Sequence, residues 1–246
     1  MRELDSTPPP SLPSCAIVGG GRLGTALASA LIAVGVEVLG PLGRAESPGE
    51  AGLVLLCVPD AEIAAAAAAL APGPVIGHCS GALGLDALAP HEALGLHPLM
   101  TVTGPGAPLA GAGAAVAGTT PRARAWATGL AERLEMVPFT LAEDDRAAYH
   151  AAASMASNHL VALQAAAERL GAPTGLRREH LVALVRGAVD GWARLGPRAA
   201  LTGPIARGDA VTVARQRAAV AARAPEPAPL WDALAERTRA LAGAAP

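Results

Sequence analysis

The chain's clearest chemical signal is Gly19-Gly20-Gly21-Arg22-Leu23-Gly24, a G-x-G-x-x-G set directly behind the apolar run Cys15-Ala16-Ile17-Val18. Glycine at the first position permits a tight turn, at the second it lets a pyrophosphate approach the backbone, and at the third it lets helix and strand pack closely. A helix opening at Arg22 then aims unpaired N–H groups and the positive end of its dipole at the phosphates. Gly19, Gly21, Arg22, Leu23 and Gly24 are therefore expected cofactor contacts in a dinucleotide-binding (Rossmann) fingerprint, the plainer alternative being a glycine-rich turn with no ligand. A site for NAD usually closes its second strand with an acid that accepts from the ribose hydroxyl. Here that place holds Gly40-Pro41-Leu42-Gly43, followed by Arg44. An arginine at this loop pairs with a 2′-phosphate, so NADP is expected over NAD, with an ordinary solvated Arg44 as the alternative.

Further along, Cys57-Val58-Pro59-Asp60 ends a buried run and Gly77-His78-Cys79-Ser80-Gly81 ends another. In an open α/β sheet, ligands lie outside the carboxyl ends of the strands, so Cys57, Val58, Pro59 and Ser80 are expected to line the cofactor crevice. Asp60 reads as a helix cap and His78 as a loop histidine. His97-Pro98 follows the last strand of the crevice, where His97 either reaches the nicotinamide or is a structural histidine beside a turn proline. In the C-terminal half, His150, Ser154 and Ser157 recur at i, i+4, i+7 with Asn158 on the border of the same face. A polar stripe on an alanine and leucine helix is costly to bury without partners, which makes it a candidate substrate wall. Arg207 either grips a carboxylate through two parallel hydrogen bonds or pairs with Asp209 to fix its loop.

These residues need a frame to position them. Strands at 15–18, 36–39, 52–58 and 75–77 alternate with helices at 22–34 and 60–71, which means a parallel sheet covered on both faces. Thr120-Pro121 starts another helix and a short strand follows at 137–141. After Glu143 no strand-like run remains. One helix is expected over 145–170 with Gly171 as its stop, a second over 179–195, a third behind Asp209 as N-cap, and a last at 230–241. The expected organisation is a proline-rich disordered tail at 1–14, an α/β Rossmann-type parallel-sheet domain at 15–142 and an all-α helical domain at 143–246.

Composition narrows the function classes. All 19 basic residues of the 246 are arginine. A Walker A loop, a protein kinase and a pyridoxal-phosphate Schiff base each need a lysine, so none of these is expected. A net charge of −2 and a pI of about 6.3 argue against a nucleic-acid binder. No apolar stretch is long enough to span a bilayer and no secretion signal is legible, so a cytoplasmic protein is expected. Cys15, Cys57 and Cys79 are expected to be free thiols. His78, Cys79 and His97 lack zinc-site spacing, and no metal is expected.

Together, Gly19–Gly24, Cys57-Val58-Pro59-Asp60, His78-Cys79-Ser80-Gly81, Leu96-His97-Pro98-Leu99, Tyr149-His150-Ala151-Ala152, Ser157-Asn158-His159 and the segment 200–209 resemble one bacterial family. It is the Rossmann-like proteins with a C-terminal domain of unknown function 2520, relatives of pyrroline-carboxylate, ketopantoate and 6-phosphogluconate-type reductases. The resemblance implies an NADP-type Rossmann domain, a helical second domain that forms a homodimer, and a site in the cleft between them. Relatives that reduce ketones often use a lysine as proton donor, with an asparagine that orients the substrate. Without lysine, the donor must be His150, His97, Tyr149, a serine or water. His150 is favoured because its unperturbed pKa suits proton transfer near neutrality, with Asn158 as its partner and His97, Ser154 and Arg207 as substrate contacts. The expected activity is NADPH-dependent reduction of a small keto acid or imine, ketopantoate being the most concrete version. The rival is an NADP-binding regulator without turnover.

Overall fold

The computed structural model describes residues 11–44 and 46–243. They fall into two compact units, Met1–Met155 and Ala156–Pro246. The first unit is built on seven strands, β1 (Cys15–Val18), β2 (Val38–Leu42), β3 (Leu53–Leu56), β4 (Val75–His78), β5 (Ala93–Leu99), β6 (Gly113–Gly118) and β7 (Val137–Thr140). Their order is β2-β1-β3-β4-β5-β6-β7. The first five are mutually parallel, β6 runs antiparallel to β5, and β7 is parallel to β6. The chain leaves β1 toward β2 on one side and reaches β3 on the other. The topological switch point, where α/β sheets open a crevice for ligands, therefore lies between β1 and β3.

Period-two alternation divides the core between two faces. Ile17, Leu55 and Leu94 pack with Leu27 and Leu31 of α1 (Arg22–Ala33) and with Leu130 of α3 (Pro121–Arg133). Val54, Leu56 and Ile76 face the other way, onto Ile63 of α2 (Asp60–Ala68) and Leu88. Burial on both faces explains why β3 is an unbroken apolar run, with all four residues buried. Thr120 caps α3 by accepting from the Ala123 N–H, with proline in the first turn.

Several boundaries depart from the sequence expectation. Of the expected disordered tail, residues 1–10 lie outside the described residues. Leu12 packs on the core and the Leu53 N–H bonds the Ser14 carbonyl, so the ordered fold begins before Cys15. Val36 closes the end of α1 by donating to the Leu31 carbonyl, which shifts β2 to 38–42. His97 and Pro98 stand inside β5, not behind it. Strand β6, Gly-Ala-Ala-Val-Ala-Gly, carries one β-branched residue and gave no strand signal.

The single helix expected at 145–170 is two, α4 (Arg146–Ala156) and α5 (Asn158–Gly171), parted at Ser157 with φ −117 and ψ −75. Serine and asparagine side chains compete for backbone hydrogen bonds and favour such interruptions. Helix α4 belongs to the first unit, which thus runs on to Met155, beyond the boundary expected at 143. The second unit holds α5, α6 (Arg178–Leu195), the short α7 (Gly203–Ala206), α8 (Ala210–Arg223) and α9 (Ala228–Gly243). Asp209 caps α8 by accepting from the Thr212 N–H at 3.0 Å. No helix of the described residues is long and apolar enough to cross a membrane.

Candidate functional site

The glycine turn after β1 separates into packed and open positions. A Cβ on Gly19, whose φ is +112, would stand 2.4 Å from the Cys57 carbonyl oxygen, and one on Gly24 would stand 1.9 Å from that of Gly19. On Gly20 or Gly21 it would meet nothing within 4 Å. The outer glycines thus press the turn against the end of β3, while the middle two leave space above it. That space adjoins the start of α1, where Gly21 provides no side-chain cap and the first turn has no acid. The first N–H groups of a helix have no partner within it, so they are available to a phosphate. Arg22 is exposed at the rim and Leu23 packs on the core. The open space above Gly20 and Gly21, beside the uncapped helix start, leaves room for a dinucleotide pyrophosphate.

Across the switch point, Cys57 donates its N–H to the Val18 carbonyl at 2.7 Å. Its thiol lies 3.9 Å from that of Cys79, and Cys15, Cys57 and Cys79 are free cysteines. Burial pushes the Cys15 thiol up to about 12, and a hydrogen bond to Cys57 with burial raises Cys79 well above the ordinary thiol range. The Cys15 and Cys79 thiols are therefore poor nucleophiles, since reactivity needs the thiolate. Pro59, not Asp60, occupies the N-cap of α2, and no side chain caps that helix. The Asp60 carboxylate instead accepts from the Ser80 hydroxyl at 2.8 Å. Ser80 Oγ also accepts from the N–H groups of Ala82 and Leu83 at 3.1 and 3.0 Å. One donor and two lone pairs are a hydroxyl's full capacity, so Ser80 shapes the loop and its side chain has none left for a cofactor. Val58 lies against the turn, its Cγ1 3.3 Å from the position of a Cβ on Gly19.

At the second strand, Arg44 forms two bonds of 2.8 Å to the Glu62 carboxylate. The Arg44 side chain is 86% exposed. Exposed ion pairs contribute about 0–1 kcal/mol, so this arginine can exchange its carboxylate for a phosphate at small cost.

Beyond the cradle, a second cluster gathers around Gly81. A Cβ on Gly81 would lie 2.9 Å from His97 Nε2 and 3.1 Å from His150 Cδ2. His97 Nδ1 is 2.6 Å from the Tyr149 hydroxyl. The Tyr149 ring is edge-on to His97 at 5.6 Å and to Phe139 at 5.9 Å. Burial, followed by the neighbouring His150, holds His97 down to about 4, so its imidazole is neutral at physiological pH. Burial raises the Tyr149 phenol, opposed by the positive charge of Arg146. Arg146 is buried at the start of α4 and donates Nε–H to Glu143 at 2.9 Å. His78 is fully buried, accepts from the Ser80 N–H and bonds the Gly84 carbonyl at 3.1 Å, which commits both ring nitrogens to the loop. Ser154 is half-buried and His150 exposed on α4. Asn158 is exposed at the start of α5 in the second unit, so the break at Ser157 removes the continuous stripe expected from spacing. Arg207, also in the second unit, is exposed and forms no ion pair with Asp209. Among the described residues no group of three or more His, Cys, Asp or Glu could hold a metal ion. Sequence reasoning gave no role to Arg146 or to the Asp60–Ser80 link, because nothing in their spacing signals that β4, α2 and α4 converge.

The family profile described as "Domain of unknown function (DUF2520)" matches residues 113–238, about half of the chain. Its match starts at the first residue of β6, within the sheet unit. No curated protein matches the sequence. Protein TM1727 from Thermotoga maritima is similar in structure, with a TM-score of 0.80 at 23% identity over 94% of this chain and 100% of that one. A 1-pyrroline-5-carboxylate reductase from Streptococcus pyogenes gives 0.62 at 14% identity, covering 94% and 98%. A reductive aminase from Aspergillus terreus, in complex with NADPH and ethyl-5-oxohexanoate, gives 0.64 at 18%, covering 92% and 93%. These likenesses establish a Rossmann-type sheet followed by a helical region.

Proposed function

We propose that this chain, which belongs to the DUF2520 family, is an oxidoreductase that uses NADPH to reduce a small keto acid or imine. The carrying observation is the open space above Gly20 and Gly21 beside the uncapped start of α1, a shape suited to a pyrophosphate. Arg44 favours NADPH over NADH, because the exposed guanidinium at the end of β2 suits a 2′-phosphate. When bound, the nicotinamide supplies the reducing electrons. Residues at the ends of β4 and β5 would hold the ring, with His150 polarising the acceptor. Ketopantoate is the first keto acid to try. Substrate-dependent NADPH oxidation across a panel of keto acids and cyclic imines tests the reading. His150→Ala is expected to lower kcat far more than it weakens NADPH binding. NADPH binding without consumption on any of these acceptors would replace the reductase with a dinucleotide-binding regulator.

The proposed oligomer is a homodimer through the second unit. Helix α6 has no buried residue among its 18, yet Leu181, Val182, Val185, Ala188, Val189 and Trp192 share one face at 100° per residue. Trp192 is 59% exposed. An apolar stripe of this length is the kind of surface that an identical helix in a second copy covers.

A further inference from the structure

We propose that Tyr149 is the proton donor of the reduction and that His97 is its positioning residue, donating Nδ1–H to the phenol oxygen so that the phenolic hydrogen points at the acceptor. This rests on the reductase reading above. Of the groups around Gly81, His78 has both nitrogens committed and Ser80 has its whole hydroxyl committed. His150 is exposed, and among the described residues no hydrogen bond fixes its ring. Tyr149 alone combines a transferable proton with a short bond, 2.6 Å to His97, and an aromatic clamp from His97 and Phe139.

A neutral imidazole carries one N–H. His97 is kept neutral by burial, reinforced by the charges of His150, Arg146 and His78 and opposed by Asp60. Nε2 has no hydrogen-bond partner among the described residues, and Gly81 crowds that edge of the ring. An unpaired N–H is tolerated less well than an unpaired lone pair, so the proton belongs on Nδ1. In that tautomer the phenol oxygen is an acceptor and its hydrogen is free.

For a keto acid the step balances as follows. The acceptor carbon would gain one hydrogen together with its bonding electron pair from a reduced nicotinamide dinucleotide, which would thereby be oxidised by two electrons. The carbonyl π pair moves to oxygen, and that oxygen takes the phenolic proton as the Tyr149 O–H bond breaks. The tyrosinate left behind accepts from His97 Nδ1–H, with the Arg146 charge beside it, and water then restores its proton.

Tyr149 is the chain's single tyrosine, so tyrosinate absorbance reports it without interference. In the ligand-free protein, His97→Leu removes a donor to the phenolate and is expected to raise the Tyr149 pKa by about one unit, the equivalent of one hydrogen bond. His97→Asn, which keeps an N–H near Nδ1, is expected to restore much of it. A fall in the Tyr149 pKa in His97→Leu would mean that the phenol donates to His97, and would overturn the proposal. Long-range proton–nitrogen NMR of the unaltered protein, which needs no variant to fold, is expected to find the hydrogen on Nδ1; finding it on Nε2 would equally overturn it. Tyr149→Phe is expected to lose at least 100-fold in kcat with NADPH affinity kept, and retention of kcat would remove Tyr149 as donor. Loss of NADPH binding in the unaltered protein would instead defeat the reductase reading, whatever the phenol titration shows.

Discussion

The two units differ sharply in how they bury themselves. The first holds both hydrophobic clusters entirely, whereas among the described residues of the second the buried hydrophobic side chains are Val213, Val220 and Ala235. Every residue of its central strands β3 and β4 is buried, whereas α6 has no buried residue. A parallel sheet must be covered on both faces by its own chain. A helical unit can leave a face for a second copy. The contrast separates what we propose for the sheet unit, a dinucleotide site and a proton donor, from what we propose for the helical unit, assembly with a second copy.

The harshest way to break the sheet unit is Gly24→Val. Its Cβ would stand 1.9 Å from the Gly19 carbonyl oxygen, so backbone must move and stability should fall by about 3 kcal/mol or more, read by chemical denaturation. Acid should act next. His97 titrates near 4 when folded and near its ordinary 6.5 when unfolded, and burial lowers His78 in the same direction. Between those values the unfolded chain binds more protons, so stability is full above about pH 6.5 and declines as pH falls toward 4. The loss from His97 is about 3 kcal/mol, and denaturation curves across that range check it.

Trp192→Asp sharpens the other side of the comparison. It should raise the dimer dissociation constant about 100-fold, measured by sedimentation, while NADPH binding to the sheet unit is unchanged. The smallest effect is at the rim of the cradle. Glu62→Gln frees Arg44 from a surface pair and should tighten NADPH by no more than about fivefold, with NADH unaffected, by calorimetric titration.

The parts legible in the sequence are those with a local signature. The glycine turn, β1 with its four apolar residues, the Thr120-Pro121 start of α3 and the Asp209 cap each follow from neighbours a few positions away. Strand β6 was hidden because alanine and glycine carry no strand preference, and it is held by pairing with β5. The pairing of His97 with Tyr149 spans 52 positions, and the link from Asp60 to Ser80 depends on how α2 and the β4 loop converge. Neither has a sequence period to betray it. The stripe from His150 to Asn158 had such a period, yet the turn at Ser157 interrupts it.

The central claim is that the space above the glycine turn is a dinucleotide site, and Gly21→Val tests it most directly. Gly21 has φ −71, a value open to any residue, and a Cβ there meets nothing within 4 Å. The variant should therefore still fold, losing about 1 kcal/mol at the helix N-cap, while its side chain occupies the space above the turn. With NADPH about 100-fold above its Kd, the unaltered protein should gain ~2.7 kcal/mol, a rise of roughly 5–10 °C in Tm. The account predicts that rise for the unaltered protein and none for Gly21→Val. An unaltered protein that shows no rise, or a variant that keeps it, would contradict the account.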